Sequence, residues 1–330
     1  MHHRRIILLA ASLVFAAPAQ SDEPQRGTLI LEYENDLFGG EDRYYTNGVR
    51  LTWISPDDRV PAWIRRGAGI VPFFADQGDL KLSYSLGQNI YTPNDIKTAT
   101  PPTDDHPYAG WLYGSIGLGS ETPTRLDRLQ LNLGVVGPAS LAERTQREIH
   151  RLVGSSVPQG WDTQLSNEPT LMLTYDRQWL AWRGGDNSSG WGWDVTPSIG
   201  GAAGNVFTQL NSGLTLRFGH TMPADWGPPR IGPTLPGSGL FRPRGDFGWY
   251  LFVSADGRMV ARNLFLDGNT FTDSRSVDKR HLVGELQFGG VMNVGRRFRL
   301  TYTHVLSTRA FSGQRGDSSE FGSLSASLLL

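Results

Sequence analysis

Apolar and polar residues alternate along most of this chain: Val49, Leu51 and Trp53 are separated by Arg50 and Thr52, and Leu129, Leu131, Leu133 and Val135 by Gln130, Asn132 and Gly134. A period of two places the apolar residues on one face of an extended strand and the polar residues on the other. Roughly twelve such segments recur, beginning near Thr28, Gly48, Leu80, Gly110, Arg125, Thr170, Gly190, Val206, Asp246, His281, Arg296 and Ser319. Many are as long as a strand tilted across a bilayer, and an even count returns both chain ends to one side, as closed bacterial barrels require. The last segment, Ser323 to Leu330, alternates to the chain end and would close the barrel. The pattern therefore predicts an all-β protein, a 12-stranded antiparallel transmembrane β-barrel occupying residues 20–330.

Composition leaves two classes open, a soluble periplasmic β protein and an outer-membrane barrel, with 40 Gly, 20 Pro and 10 Trp and a mean hydropathy of −0.32. Trp179, Trp182, Trp191 and Trp193 bracket the turn from Gly184 to Gly190, as an interfacial aromatic belt would. In a soluble sandwich the same rings would fill a core. Residues 1–19 read as a cleaved secretory signal, with Arg4 and Arg5, an apolar stretch from Ile6 to Ala17 and small residues at Ala17 to Ala19. Beyond it no apolar run reaches the ~18 residues of a spanning helix. Cysteine is absent, which excludes disulfides and thiol chemistry in an exported chain. Loss of Arg4 and Arg5 moves the formal charge only from −1 to −3, which implies no nucleic-acid partner.

Strand parity sorts the connections. With a periplasmic N-terminus, Asp36 to Asn47, Thr92 to Ala109 and Pro138 to Glu168 follow the first, third and fifth segments and converge above the outer rim. The Pro-rich stretch from Met222 to Arg244 falls on the periplasmic side. The third outer connection carries a helix signal from Ala139 to Gly154, with Leu141, Ile149, Leu152 and Val153 as an apolar stripe and Gly154 as a stop. Glu143, Gln146 and His150 share another face at spacings of three and four, so Gln146 could orient the imidazole while Glu143 raises its basicity. Leu152 and Val153 would either pack on the barrel or line an acyl groove.

Candidate chemistry concentrates at the first connection. An alternating strand stops at Asn35-Asp36 and the chain restarts at Tyr45-Thr46-Asn47-Gly48, which gathers carboxylate, amide and hydroxyl oxygens at one hairpin mouth. Such a cluster suits a hard cation such as calcium. Of the seven histidines, His2 and His3 lie in the leader and His220, His281 and His304 at or within strands, leaving His106 and His150 in outer connections.

In order and spacing, Asn35-Asp36, Tyr45-Thr46-Asn47-Gly48, Gln88-Asn89-Ile90-Tyr91-Thr92-Pro93, Gly134-Val135-Val136-Gly137-Pro138 and Gln146-Arg147-Glu148-Ile149-His150 resemble the outer-membrane lipid A 3′-O-deacylase family. Agreement runs from about Leu29 to Leu165 and continues mainly as strand rhythm, with Gly204-Asn205-Val206-Phe207. The resemblance implies a 12-stranded barrel in the outer membrane, a site facing the extracellular leaflet, lipid A as substrate and calcium-dependent hydrolysis of its ester-linked 3′ acyl chain. It also implies Asn35, Asp36, Thr46, Gln146 and His150 as site positions.

The residue types suit that chemistry. Without cysteine or an evident Ser-His-Asp constellation, water is the expected nucleophile, with His150 as its base and Asn35 and Asp36 holding Ca2+ against the carbonyl oxygen, much as secreted phospholipases A work. Thr46 would position water or metal rather than attack. Lys97 would either meet a lipid phosphate or serve as an exposed solubilising residue. Two departures from the family pattern stand out: Ser156 occupies the place of an acid six positions after His150, and Gly39 to Arg43 makes a short first loop. Glu143, Asp162 or Glu168 would have to replace that acid, or activity would fall. Two alternatives come from other classes: an outer-membrane phospholipase with a Ser or Thr nucleophile, and a passive channel or structural barrel. No protein partner is implied.

Overall fold

The computed structural model describes residues 27–36, 44–56, 60–69, 74, 78–186, 188–227 and 241–330. The expected signal segment, the Gly39–Arg43 stretch and the middle of the Pro-rich stretch lie outside the described residues.

Twelve long strands form one closed antiparallel barrel. The first six are β1 (Thr28–Asn35), β2 (Tyr44–Ile54), β3 (Asp79–Thr92), β4 (Ala109–Glu121), β5 (Arg125–Val136) and β6 (Glu168–Trp179). The rest span Trp191–Gly204, Phe207–His220, Phe247–Asn263, Leu282–Val294, Phe298–Thr308 and Ser318–Leu329. Sequence neighbours pair throughout, and the last strand closes on β1 from Thr28↔Leu329 to Asn35↔Gly322. The join between β6 and Trp191–Gly204 is prolonged by the short strand Trp182–Asp186, which follows a two-residue break at Leu180-Ala181. The expected strand starts hold within a few residues. The largest shift is in β2, which begins at Tyr44 because a register shift between Tyr45 and Asn47 interrupts the alternation there.

Burial is inverted relative to a soluble protein. Large apolar side chains such as Leu86, Ile116, Leu133, Leu173, Leu210 and Leu251 stand exposed on the outer face. Their polar neighbours, including Glu32, Ser115, Gln130, Asn132, Thr215, Arg217 and Arg299, are buried in the lumen. Only a wall with lipid outside and a polar interior satisfies both sets. Trp182, Trp191 and Trp193 are exposed near the rim that carries the chain ends, where the aromatic belt was expected.

The lumen is crossed at that rim. After Phe207–His220 the chain folds inward, and Asp225 sits among Arg217, Arg299 and Tyr250, its carboxylate paired with both guanidiniums and accepting from the Tyr250 hydroxyl at 3.1 Å. Trp226 then reaches the opposite wall. Its indole N–H donates to Glu121 at 2.9 Å and its ring packs on Ile30, Ile54 and Leu126. On the outer wall of the same rim, helix α1 (Ala62–Ala68) covers Leu80, Leu82, Leu118 and Leu129.

Candidate active site

The site is built on the outer face of the wall at the opposite rim. In β1 the exposed Leu29 and Leu31 set the parity that turns Asn35 outward, and Asn35 stands directly opposite Asn47 of β2. At the bulge in β2, Tyr45 turns inward, where its hydroxyl donates to Glu34 and its ring meets Tyr91 and Phe321 at 5.4 and 5.0 Å. The extra residue, Thr46, is thereby aimed at the other side of the wall, and its Oγ1 lies 2.6 Å from that of Thr92 on β3. Re-aiming one side chain is what a bulge does beside a site. The preceding Tyr44 has φ 72°, a left-handed conformation that costs a bulky residue energy. Its hydroxyl accepts from the Arg315 N–H at 2.7 Å and its ring packs edge-on to Phe311 at 5.4 Å, which holds it there.

Asn35, Asp36, Thr46 and Asn47 are all buried, although this wall otherwise exposes apolar side chains. Beside them, on β3 and β4, the outer wall is covered by helix α2 (Ala142–Val153) with the turns around it. The chain leaves β5 through Gly137 at φ 96° and Leu141 at φ 59°, and Gln88 donates to the Ser140 carbonyl at 2.7 Å. Gly110 on β4 is the seat: a Cβ there would meet the Ala142 Cβ at 2.1 Å and Ser140 Oγ at 2.2 Å. Ala142 packs with Ile90, Tyr108 and Trp161.

The buried stripe of α2 is Ala142, Gln146 and His150, one residue per turn. Of the two places open to Leu152, the packed one is not taken: Leu152 is 81% exposed, and Leu141 at the helix start 55%. The Val153 side chain lies outside the described residues. The Trp161 indole N–H donates to Gln146 Oε1 at 2.8 Å, which leaves Gln146 Nε2 buried with no hydrogen-bond partner among the described residues. His150 Nδ1 lies 2.6 Å from the Ser156 carbonyl oxygen, and because a carbonyl can only accept, Nδ1 carries the proton and Nε2 the lone pair. Glu143 does not support the imidazole as expected; it pairs with Arg147 at 2.9 Å. The place of the missing acid is filled by the main chain of Ser156 itself.

Lys97 is exposed in the connection between β3 and β4, its backbone N–H donating to Asp95 Oδ1 at 3.0 Å. That bond, with one from Thr98, holds the Asp95 carboxyl below its usual range. The turn abuts the segment after α2, where the Gln159 N–H donates to the Ile96 carbonyl at 2.9 Å. Among the described residues no group of three or more His, Cys, Asp or Glu comes together, so no imidazole- or thiolate-rich metal centre is built there.

A family model described as outer membrane protein LpxR matches residues 7–330. The chain belongs to the LpxR family. Its closed 12-stranded barrel and its place in the outer membrane agree with that membership, which also makes it a protein of a lipid A-modifying family. Among solved structures, LpxR from Salmonella typhimurium superposes with a TM-score of 0.74 at 19% identity, covering 92% of this chain and 100% of that one. The β domain of the Bordetella autotransporter BrkA gives 0.44 at 10% identity, covering 92% and 97%. The P. putida toluene transporter TodX gives 0.38 at 10%, covering 93% and 91%. No curated protein sequence matches the chain.

His106, the other outer-loop histidine of this LpxR-family chain, serves the lumen side. Its ring stacks on the inward-facing Tyr91 at 5.7 Å, and its Nδ1–H donates to the Pro107 carbonyl at 2.7 Å. Burial pushes its pKa down to about 4, so it stays neutral under ordinary conditions. Sequence reasoning missed Thr92, Trp161, Gly110 and the Ser156 carbonyl as parts of the site. Thr92 stands in a family motif, whereas nothing in the sequence pattern marks Gly110, Trp161 or a carbonyl.

Proposed function

We propose that this chain is a calcium-dependent carboxylic-ester hydrolase that removes the ester-linked 3′ acyl chain of lipid A from the outer leaflet of the outer membrane. The observation that carries the reading is His150: a buried imidazole with its tautomer fixed, on a helix clamped to the outer wall of a barrel, at the rim where Asn35, Asp36 and Thr46 are also buried. A lipid ester reaches such a site from the bilayer without leaving it.

The donor set fits a hard cation. One carboxylate (Asp36), two amides (Asn35 and Asn47) and a hydroxyl (Thr46) supply oxygen only, which suits calcium and not zinc. When bound, calcium would polarise the ester carbonyl and offset the charge of its oxyanion. Asn35 and Asp36 would hold it. Thr46, fixed by Thr92, would position the attacking water, whose proton passes to His150 Nε2 as its oxygen adds to the carbonyl carbon. Collapse of the tetrahedral species breaks the bond to the sugar oxygen, and His150 returns the proton to that leaving alkoxide. The Ser156 carbonyl orients the ring throughout. Gln146, locked by Trp161, has an amide N–H pair available for substrate or water. Lys97 would meet a lipid phosphate.

A passive channel has no use for these outer-wall groups, and here the lumen is crossed by Asp225 and Trp226. An outer-membrane phospholipase would share the wall but release fatty acid from glycerophospholipid. Purified protein, given lipid A and glycerophospholipid in parallel with calcium or chelator, separates these readings: fatty acid from lipid A alone, silenced by chelator, is the expected result.

A further inference from the structure

Helix α2 has two flanks beside the stripe that docks on the wall. At 3.6 residues per turn, Ile149 and Leu152 fall on one side of the Ala142, Gln146, His150 stripe, and Glu143, Arg147, Arg151 and Arg144 on the other. The charged flank is internally compensated only in part, by Arg147 with Glu143 at 2.9 Å and Arg151 with Glu148 at 2.6 Å. On the apolar flank Leu152 is 81% exposed, more than any large apolar side chain of the strands, Leu141 at the helix start is 55% exposed and Ile149 is half-buried. A loop helix in water would hardly present its leucines so. Yet this helix lies on the outer wall, seated on Gly110 and Ile90, whose strands carry the exposed Leu86 and Ile116 on that same outward face.

We infer that the Ile149 and Leu152 flank of α2 is immersed among the acyl chains of the outer leaflet, with the arginine flank at the level of the lipid phosphates. The bare flank continues the lipid-facing belt of β3 and β4. That continuity identifies its occupant as hydrocarbon rather than water or a second copy of the chain. Such an arrangement is that of an interfacial amphipathic helix, sunk ~5–10 Å into the headgroup–acyl boundary, with arginine stems reaching outward. One consequence touches the site. The apolar flank adjoins the His150 stripe, so an acyl chain lying along Leu152 and Ile149 would pass close to the imidazole. Immersion of α2 requires only the membrane barrel and stands whether or not an ester is cleaved there.

The chain has no cysteine, so single cysteines can carry an environment-sensitive fluorophore. Leu152→Cys, Arg144→Cys and, as the lipid-facing reference, Leu86→Cys are labelled and placed in phosphatidylcholine and phosphatidylglycerol vesicles containing acyl-chain doxyl lipid or exposed to aqueous iodide. Heat-modifiable migration identifies folded samples, and Ile149→Cys, one turn earlier on the same flank, replaces Leu152→Cys should that variant not insert. The expected result is doxyl quenching at position 152 of at least half that at position 86, with iodide quenching confined to position 144. Equal iodide quenching at 152 and 144 would overturn the inference, as would protection of 152 from both quenchers, which would mean that protein covers it.

Discussion

Gly110→Ala isolates the seating of α2 from every group that does chemistry. An ordinary contact between two methyl carbons is about 3.5–4.0 Å, whereas the new Cβ would stand 2.1 Å from the Ala142 Cβ. The helix must therefore rise by about 1.5 Å, because the obstacle is the first turn of α2 and the Ser140 hydroxyl rather than the free end of a flexible side chain. His150, two turns along the same stripe, moves with it. Displacement of a catalytic group by about 1 Å costs on the order of 10²-fold in rate, or about 2.7 kcal/mol of barrier. The added methyl points away from the lumen and breaks no ladder hydrogen bond, so the barrel should fold. Gly114→Ala is the control: on the same strand and facing the same way, its Cβ would meet only the Ser85 carbonyl oxygen at 3.9 Å. The assay is acyl release from lipid A in detergent, normalised to the heat-modifiable folded fraction. A Gly110→Ala enzyme within a few-fold of wild type would refute the reasoning, because the site would then not depend on where α2 sits.

Other consequences can be checked on the same preparations. Asp36→Asn should raise the calcium requirement steeply, since the one carboxylate among the four oxygen donors is lost; calcium titration of activity measures it, and an unchanged requirement counts against the site. Ser156→Ala should keep activity within a few-fold, because the Nδ1 partner is a main-chain carbonyl; a hundredfold loss would show that the hydroxyl matters. His106 is pushed from 6.5 to about 4 by burial, so the unfolded state binds more protons between those values. Its contribution to stability is complete above pH 6.5 and is lost as pH falls toward 4, by up to about 3 kcal/mol. Hydrogen exchange of the loop at residues 93–108 at pH 7 and pH 4.5 should show this, and His106→Phe should abolish the difference. Asp225→Ala leaves two buried guanidiniums without their shared carboxylate and should destabilise the barrel by about 3–5 kcal/mol, read as a lower temperature for loss of the folded electrophoretic form.

The architecture was legible because a membrane barrel writes its fold into every second residue. Leu131 and Leu133 stand exposed on the outer face while Gln130 and Asn132 are buried in the lumen. Alternation failed at Thr46, since one extra residue inverts the parity on one side of it and a bulge interrupts the regular pairing. Helix α2 was legible as a helix but not in its orientation. Its apolar stripe left two orientations open, against the barrel or along an acyl groove, and the structure turns Ala142, Gln146 and His150 to the wall and leaves Leu152 exposed. The Ser156 position read as a loss because a side chain was sought there, whereas the group that orients the imidazole is a carbonyl that every residue carries. Gly110 had no signal of its own, since a glycine required by a neighbour 32 residues away looks like any other.

The central claim is that His150, seated on the outer wall, drives cleavage of the 3′ ester of lipid A. Tandem mass spectrometry of lipid A from cells expressing the wild type, His150→Ala or no protein tests it most directly. The account predicts loss of the whole 3′ ester-linked substituent with the wild type, amide-linked chains intact, and unaltered lipid A with a folded His150→Ala barrel. Unaltered lipid A with the wild type, loss of an amide-linked chain, or equal cleavage by His150→Ala would contradict it.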